Sequence, residues 1–556
     1  MQTAIDEISP AGLPKTEAIK EKRASVRGTF GLRLLLEGAG LAILVLAGYL
    51  WPSLSPSHLG FYHDPHPIWT IPAGLAVDIV GMCLVFAVVF ALLDWYRPEQ
   101  TGPLWAALLA LLVVEAADVV VLILEFYRIG VLWTTSIRQA VLFASLFVAL
   151  GLSYFFPKVE RGSVKAARFS LAIFGCSIFW MLPGLVVAAV QTAKGHTITS
   201  FSKSVPAPAA TQERVVWILL DELSYDQVYE HRLPSLQMSH FDELRSDSVV
   251  FSDVQPEGYY TERILPALFI GRKINNIRSD AKRNLEYHDY FENRWERFNQ
   301  QATVFGEAKR LGWTTGVAGW YNPYCHILHD VLDSCYWQSI EPFEGTVAGT
   351  EPTLAEVAAA PFELPTRESR VSLYRSVVRA HAQEYVDLMG ASDSLIRNEG
   401  VDFVFLHLPV PHPVGIYSRR TGKLGAIGSY IDNLALADKA VGDLLQTIQG
   451  TAEASRTIVI LSSDHSWRIN EWRYHSLWTK EDQRACGGRF DTRPFLLVHF
   501  PDNKAGETRA EALPELATTG ILRAILEGEI RSQGQLNGWL DKREAGGRWN
   551  STQAGY

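Results

Sequence analysis

Five long apolar runs crowd into the first third of the chain, at Leu32–Trp51, Pro72–Trp95, Pro103–Phe126, Gln139–Phe156 and Phe169–Gln191. Each is near the ~20 residues that a helix needs to cross ~30 Å of hydrocarbon. A buried core helix is rarely so long and so uniformly apolar. A basic tail precedes the first run and four further runs follow it, which argues against a cleaved signal peptide. The cations orient the set. Lys15, Lys20, Lys22, Arg23 and Arg27 lie in the tail, Arg97 in the second loop, and Lys158, Arg161, Lys165 and Arg168 in the fourth. The first loop has no Lys or Arg, and the third has only Arg128 and Arg138. The positive-inside rule therefore predicts a cytoplasmic N-terminus, and an odd number of spans places everything after Gln191 outside. Glu37, Asp78, Glu115 and Asp118 are costly within such spans, so they are expected to pair or to meet a lipid head group, with Arg33 a candidate partner for Glu37.

The expected division is a basic tail at 1–30, a five-span transmembrane domain at 31–191, a Ser/Thr/Pro-rich linker at 192–213, an α/β domain at 214–545 and a tail at 546–556. A mean hydropathy of +0.04 averages an apolar third with an ordinary polar remainder. That remainder, about 340 residues, can bury a sizeable core. The net charge of −9 gives no basic footprint for a nucleic acid. Of the five cysteines, Cys83 and Cys176 lie in apolar runs and Cys486 stands alone. Cys325 and Cys335, ten residues apart, are expected to form a short-loop disulfide in an oxidising compartment.

From Arg214 onward, β-rich runs alternate with helical stretches. Strands are predicted at Val215–Leu220, Val249–Phe251, Thr314–Ala318, Phe403–Leu408, Thr457–Leu461 and Phe495–Phe500. Helices are predicted at Phe241–Asp247, Ala302–Leu311, Arg370–Arg397 and Tyr430–Gln449. This pattern predicts a mainly parallel sheet covered by helices on both faces, with the site at the carboxyl ends of its strands.

Chemistry-bearing residues fall at those ends. Asp221 and Glu222 follow the first strand, and paired carboxylates suit a divalent cation or, more plainly, a helix start. Thr261, in Gly258-Tyr-Tyr-Thr-Glu-Arg-Ile-Leu-Pro266, reads either as a helix N-cap or as a nucleophile at a helix N-terminus, with Arg263 close by on the substrate side. A threonine hydroxyl needs a base or a metal to attack at neutral pH. Asp464 and His465 end another strand and offer one oxygen and one nitrogen ligand, suited to zinc or manganese. His407, His412 and Tyr417 follow a third strand, and His475 lies ten residues beyond His465. These histidines are candidates for a second metal, for proton transfer or for phosphate binding, with His407 the one expected to be structural.

In this order, strand-Asp-Glu, Thr with Pro five later, His…His-Pro…Tyr and Ser-Asp-His with a later His, the chain resembles the sulfatase-like branch of the alkaline phosphatase superfamily. With five preceding spans it looks most like the membrane phosphoethanolamine transferases and lipoteichoic acid synthases. The resemblance implies Glu222, Thr261, Asp464 and His465 as ligands of a zinc or manganese ion, with Asp221 beside them. It also implies Thr261 as the nucleophile, and His412 and His475 as phosphate or second-metal residues. The chain has Thr261-Glu-Arg-Ile-Leu-Pro where sulfatases carry Cys/Ser-x-Pro-x-Arg, which argues against formylglycine chemistry. It reads Asp221-Glu-Leu-Ser-Tyr225 where the transferases have Gly-Glu-Thr-Ala-Arg.

The resemblance thus implies a bacterial inner-membrane protein with its catalytic domain outside. Its activity would be transfer of a phosphoethanolamine- or phosphoglycerol-type head group from a phospholipid donor to an envelope glycolipid or glycan. The alternatives from the same residues are a membrane-tethered phosphodiesterase, phosphatase or sulfatase-like hydrolase, and a catalytically silent binding protein whose metal site is incomplete.

Overall fold

The computed structural model describes residues 31–47, 50, 69–95, 102–126, 135–194, 198–203, 213–279, 284–339, 353–359, 367–475 and 477–545. The expected tails at 1–30 and 546–556 lie outside these residues, as does part of the linker. The described chain divides into two units, the first built from the helices up to Lys194 together with Leu354–Ala359, the second from the rest.

The first unit contains α1 (31–45), α2 (Thr70–Trp95), α3 (Gly102–Phe126), α4 (Thr135–Phe155), α5 (Pro157–Gly175) and α6 (Ile178–Lys194). Among the described residues, two stretches are long and apolar enough to cross a membrane, Thr70–Trp95 and Arg161–Val190, with mean hydropathies of 2.7 and 2.2. Of the acids expected to be costly, Glu37 finds partners, whereas buried Asp78 has a side-chain oxygen with no hydrogen-bond partner among the described residues. Glu37 is fully buried, and its carboxylate accepts from Arg33 Nε at 2.7 Å and from Arg168 Nε at 2.8 Å. Arg168 Nη1 also donates to Asp94 at 2.6 Å. Three helices are thereby tied by one guanidinium, and the charges are paired as a low-dielectric setting requires. A side chain at Gly40 would collide with the Leu171 carbonyl, and one at Gly175 with that of Leu36, so α1 and α5 touch backbone to backbone.

The second unit is built on a nine-stranded mixed sheet. Its strands are β1 (Ser200–Ser202), β2 (Arg214–Leu220), β3 (Ser248–Phe251), β4 (Thr315–Trp320), β5 (Ser334–Gln338), β6 (Phe403–Leu408), β7 (Thr457–Ser462), β8 (Leu496–His499) and β9 (Glu507–Arg509). They lie in the order β1-β5-β4-β6-β2-β7-β8-β3-β9. The central run β5-β4-β6-β2-β7 is parallel throughout. β2 is buried at every position, as a strand covered on both faces must be, which explains its unbroken Val-Val-Trp-Ile-Leu-Leu composition.

Alternate residues of β2 feed two separate cores. Val215, Trp217 and Leu219 pack with α7 (Thr261–Ile270) and the helix Ala517–Leu526. Val216, Ile218 and Leu220 pack with α8 (Arg367–Ile396) and α9 (Tyr430–Gln449). Trp217 anchors the first core. Its indole N–H donates to Ser462 Oγ at 2.8 Å, and its ring meets Phe405 at 4.6 Å and Phe269 at 6.2 Å. Trp217→Ala removes that volume and leaves the Ser462 hydroxyl unpaired. The expected loss is about 3–5 kcal/mol, read as a lower denaturant midpoint.

The sheet exceeds the predicted strands at its edges. β1 falls in the stretch with linker composition and pairs antiparallel with β5. β1 and β9 have no buried position and β5 buries only alternate residues, so none shows the apolar run that marks the central strands. Cys325 and Cys335 are joined, tying the segment after β4 to β5. Closing so short a loop contributes about 2–4 kcal/mol, so Cys325→Ser with Cys335→Ser is expected to lower the thermal midpoint by several degrees.

Candidate metal and nucleophile site

Because β2, β4, β6 and β7 run parallel, their carboxyl ends meet at one edge, and the loops leaving them form the site. β2 delivers Asp221 and Glu222, β7 delivers Asp464 and His465, β6 carries His407, and β4 ends on Trp320. Thr261 is the first residue of α7 and is 3 % exposed. Tyr260 occupies the N-cap position, and no side chain caps the helix. The Thr261 hydroxyl instead donates to Asp464 Oδ2 at 2.6 Å, and lies 3.4 Å from both Asp221 Oδ2 and His465 Nε2.

Asp221, Asp464 and His465 are fully buried, and their ligand atoms all lie within 4.8 Å of one another. Asp221 Oδ1 has no hydrogen-bond partner among the described residues. Burial, and then the neighbouring Asp464, pushes the Asp221 carboxyl well above the usual carboxylate range. Two buried carboxylates, one with an open oxygen, beside a histidine nitrogen and a hydroxyl, form a donor set that fits a divalent cation, whose charge would reverse that shift.

Glu222, which the resemblance places among the ligands, turns elsewhere. It sits in the left-handed region at φ 68°, which aims its amide at Asp464 Oδ1, 3.3 Å away. Its carboxylate pairs with Arg468 Nε and accepts from Trp472 Nε1 at 2.7 Å. The structure thus brings Asp221 to the centre and holds Glu222 in a buried ion pair behind it. Backbone strain of this kind persists where the surroundings over-determine it.

His407 is fully buried in β6. Its Nδ1 meets the Tyr324 hydroxyl at 2.7 Å, and its Nε2 lies 3.4 Å from Asp221 Oδ2. Burial pulls its pKa down to about 4. His412 is half-buried, packs edge-on against Trp320 with ring centroids 4.8 Å apart, and directs Nδ1 at the Pro413 carbonyl. Burial, and then the charge of Arg468, holds its imidazole well below the ordinary histidine range. Arg263 stacks on Tyr260 at 4.8 Å and donates to the Asn275 carbonyl, and Tyr417 packs in the core beneath Lys439. His475 ends α10 (Ile469–His475), and its side chain lies outside the described residues.

Three residues of this region escaped the sequence reading. Arg468 follows His465 by three positions, and Trp472 lies one helical turn further on, a spacing that in retrospect signals a shared partner. Tyr321, at φ 73°, points its hydroxyl at Glu262 Oε2, 3.4 Å away. Burial, and then Glu262, pushes the Tyr321 phenol well above its ordinary range.

The sulfatase family model matches residues 213–513. Among solved structures, a sulfatase from Pseudoalteromonas sp. aligns at 12% identity over 57% of this chain and 68% of its own, with a TM-score of 0.39. A protein in the alkaline phosphatase superfamily from Vibrio parahaemolyticus aligns at 12% identity over 59% and 69%, with a TM-score of 0.34. The phosphonate monoester hydrolase of Agrobacterium radiobacter aligns at 13% identity over 57% and 74%, also with a TM-score of 0.34. No curated protein sequence matches the chain.

Proposed function

Because the chain belongs to the sulfatase family, in the sulfatase-like branch of the alkaline phosphatase superfamily, we propose that it is a membrane-anchored, metal-dependent transferase of phospholipid head groups. The observation that carries this reading is the Thr261 hydroxyl, which is given to Asp464 rather than to capping its helix. In this reading the first unit is a five-span bundle with a cytoplasmic N-terminus, and the second unit lies outside the membrane. The donor is a phospholipid, and the acceptor is an alcohol on an envelope glycolipid or glycan.

Asp221, Asp464, His465 and Thr261 would hold the cation, zinc or manganese, which when bound supplies Lewis acidity and a lowered hydroxyl pKa. The Thr261 oxygen forms a bond to phosphorus while the bond from phosphorus to the diacylglycerol oxygen breaks, and the Thr261 proton passes to Asp464 Oδ2, 2.6 Å away. The leaving oxygen takes a proton from His412, from His475 or from water. In the second step the acceptor oxygen bonds to phosphorus, the Thr261 oxygen leaves and takes its proton back from Asp464, and the acceptor proton returns to the relay. Arg468 adds a buried positive charge beside the anionic group as it moves.

Intact-mass and peptide mass spectrometry after incubation with phosphatidylethanolamine or phosphatidylglycerol and Mn²⁺ or Zn²⁺ tests this reading. The expected result is a head-group phosphate adduct on Thr261 that a chelator prevents. Release of a phosphate product without any acceptor would make the protein a hydrolase using the same residues.

A further inference from the structure

His381 lies on α8, three residues before Glu384, so the two side chains share one face of the helix. His381 Nδ1 is 2.9 Å from Glu384 Oε2, and the same oxygen accepts from Trp320 Nε1 at 3.2 Å. A carboxylate offers only acceptors, so Nδ1 carries the proton, and the tautomer this selects presents its lone pair at Nε2. That Nε2 is buried and, among the described residues, has no hydrogen-bond partner. His412 flanks this pair, with its Nδ1 facing the Pro413 carbonyl. The Trp320 indole contacts both rings, 5.4 Å from His381 and 4.8 Å from His412, and the two imidazoles are 6.3 Å apart.

A buried acceptor nitrogen, an aromatic face and the carboxylate of Glu384 are ill suited to a phosphate oxygen. They suit a group that brings its own N–H or O–H. A buried acceptor without a donor costs stability, and a ligand hydrogen removes that cost. Building on the transferase reading, we propose that His381, with Trp320, forms the subsite for the hydrogen-bond-donating end of the transferred head group, and that the neighbouring His412 is left to the proton relay. That end is a hydroxyl or an ammonium, and His381 is a specificity-determining residue. Glu384 is a positioning residue that fixes the tautomer and also orients Trp320.

The test is calorimetric titration of the full-length, detergent-solubilised protein loaded with Mn²⁺. Four ligands serve as probes: O-phosphoethanolamine, glycerol 1-phosphate, methyl phosphate and phosphocholine, the last two having no N–H or O–H at the distal end. The expected result is that one or both donor-bearing ligands bind about tenfold or more tightly than the other two. The first pair of probes separates ammonium from hydroxyl. His381→Leu is expected to erase the difference between ligands, and His381→Gln, which keeps an acceptor, to restore part of it. Equal binding of all four ligands, binding of none, or an equal loss for all four in His381→Leu would overturn the subsite. The two readings fail separately. Discrimination without an adduct on Thr261 would sink the transfer and leave the subsite, whereas an adduct without discrimination would do the reverse.

Discussion

Thr261→Val is expected to abolish the covalent adduct and to lower turnover by at least ~10³-fold, while Thr261→Ser retains both. Valine keeps the shape of the side chain and removes the oxygen, at a position 3 % exposed where little else changes. The hydroxyl lies 2.6 Å from Asp464 Oδ2 and 3.4 Å from His465 Nε2, so its removal takes the oxygen out of the cluster itself. Loss of that hydrogen bond should cost about 1–3 kcal/mol of stability. A melting curve recorded beside the rate measurement therefore shows whether the domain still folds. Turnover that survives in the folded valine variant would return Thr261 to an ordinary first residue of α7.

The central part of the second unit was legible because burial writes itself into composition. A strand covered on both faces must be almost wholly apolar, and Val215–Leu220, Phe403–Leu408 and Thr457–Leu461 are, with His407 and Thr457 the exceptions. A parallel sheet places the ends of such strands together, so Asp221, Asp464 and His465 could be grouped without knowing the strand order. Thr261 was harder to read, since a threonine before an acidic residue is also how helices begin; only the observed hydrogen bond to Asp464 separates the two uses.

What stayed hidden depends on contacts between residues far apart in the chain. Glu222 lies 246 residues from Arg468 and 250 from Trp472, and nothing in Asp221-Glu-Leu-Ser says which acid faces inward. The choice is made by the left-handed backbone at Glu222, which the side chain alone does not demand. His381 and Glu384 sit in a long helix whose pattern reads as core packing, and their partner Trp320 comes from β4. The edge strands β1 and β9 and the neighbouring β5 were hidden for the opposite reason, since β1 and β9 are short and polar and β5 buries only alternate residues.

The buried pair of Glu222 and Arg468 leads to the other large expected effect. Glu222 is fully buried, and Arg468 is 19% exposed by side chain. Arg468→Ala would leave the carboxylate with only the Trp472 N–H, at an expected cost of about 3–5 kcal/mol, because removing one partner exposes the desolvation penalty of the other. Glu222→Gln with Arg468→Met removes both charges and should cost less than the sum of the single changes, which a double-mutant cycle of unfolding midpoints would read. Additive costs would mean that the two residues act separately. The same substitution also reaches the chemistry. The Arg468 charge, after burial, is a cause of the depressed His412 pKa. A cation nearby disfavours the imidazolium, so its removal lets the His412 pKa rise toward the ordinary histidine value. With Arg468→Ala still folded, the limb of the pH–rate profile that reports His412 should therefore move to higher pH. A limb that stays in place would show that His412 does not carry the proton, and would pass that role to His475 or to water.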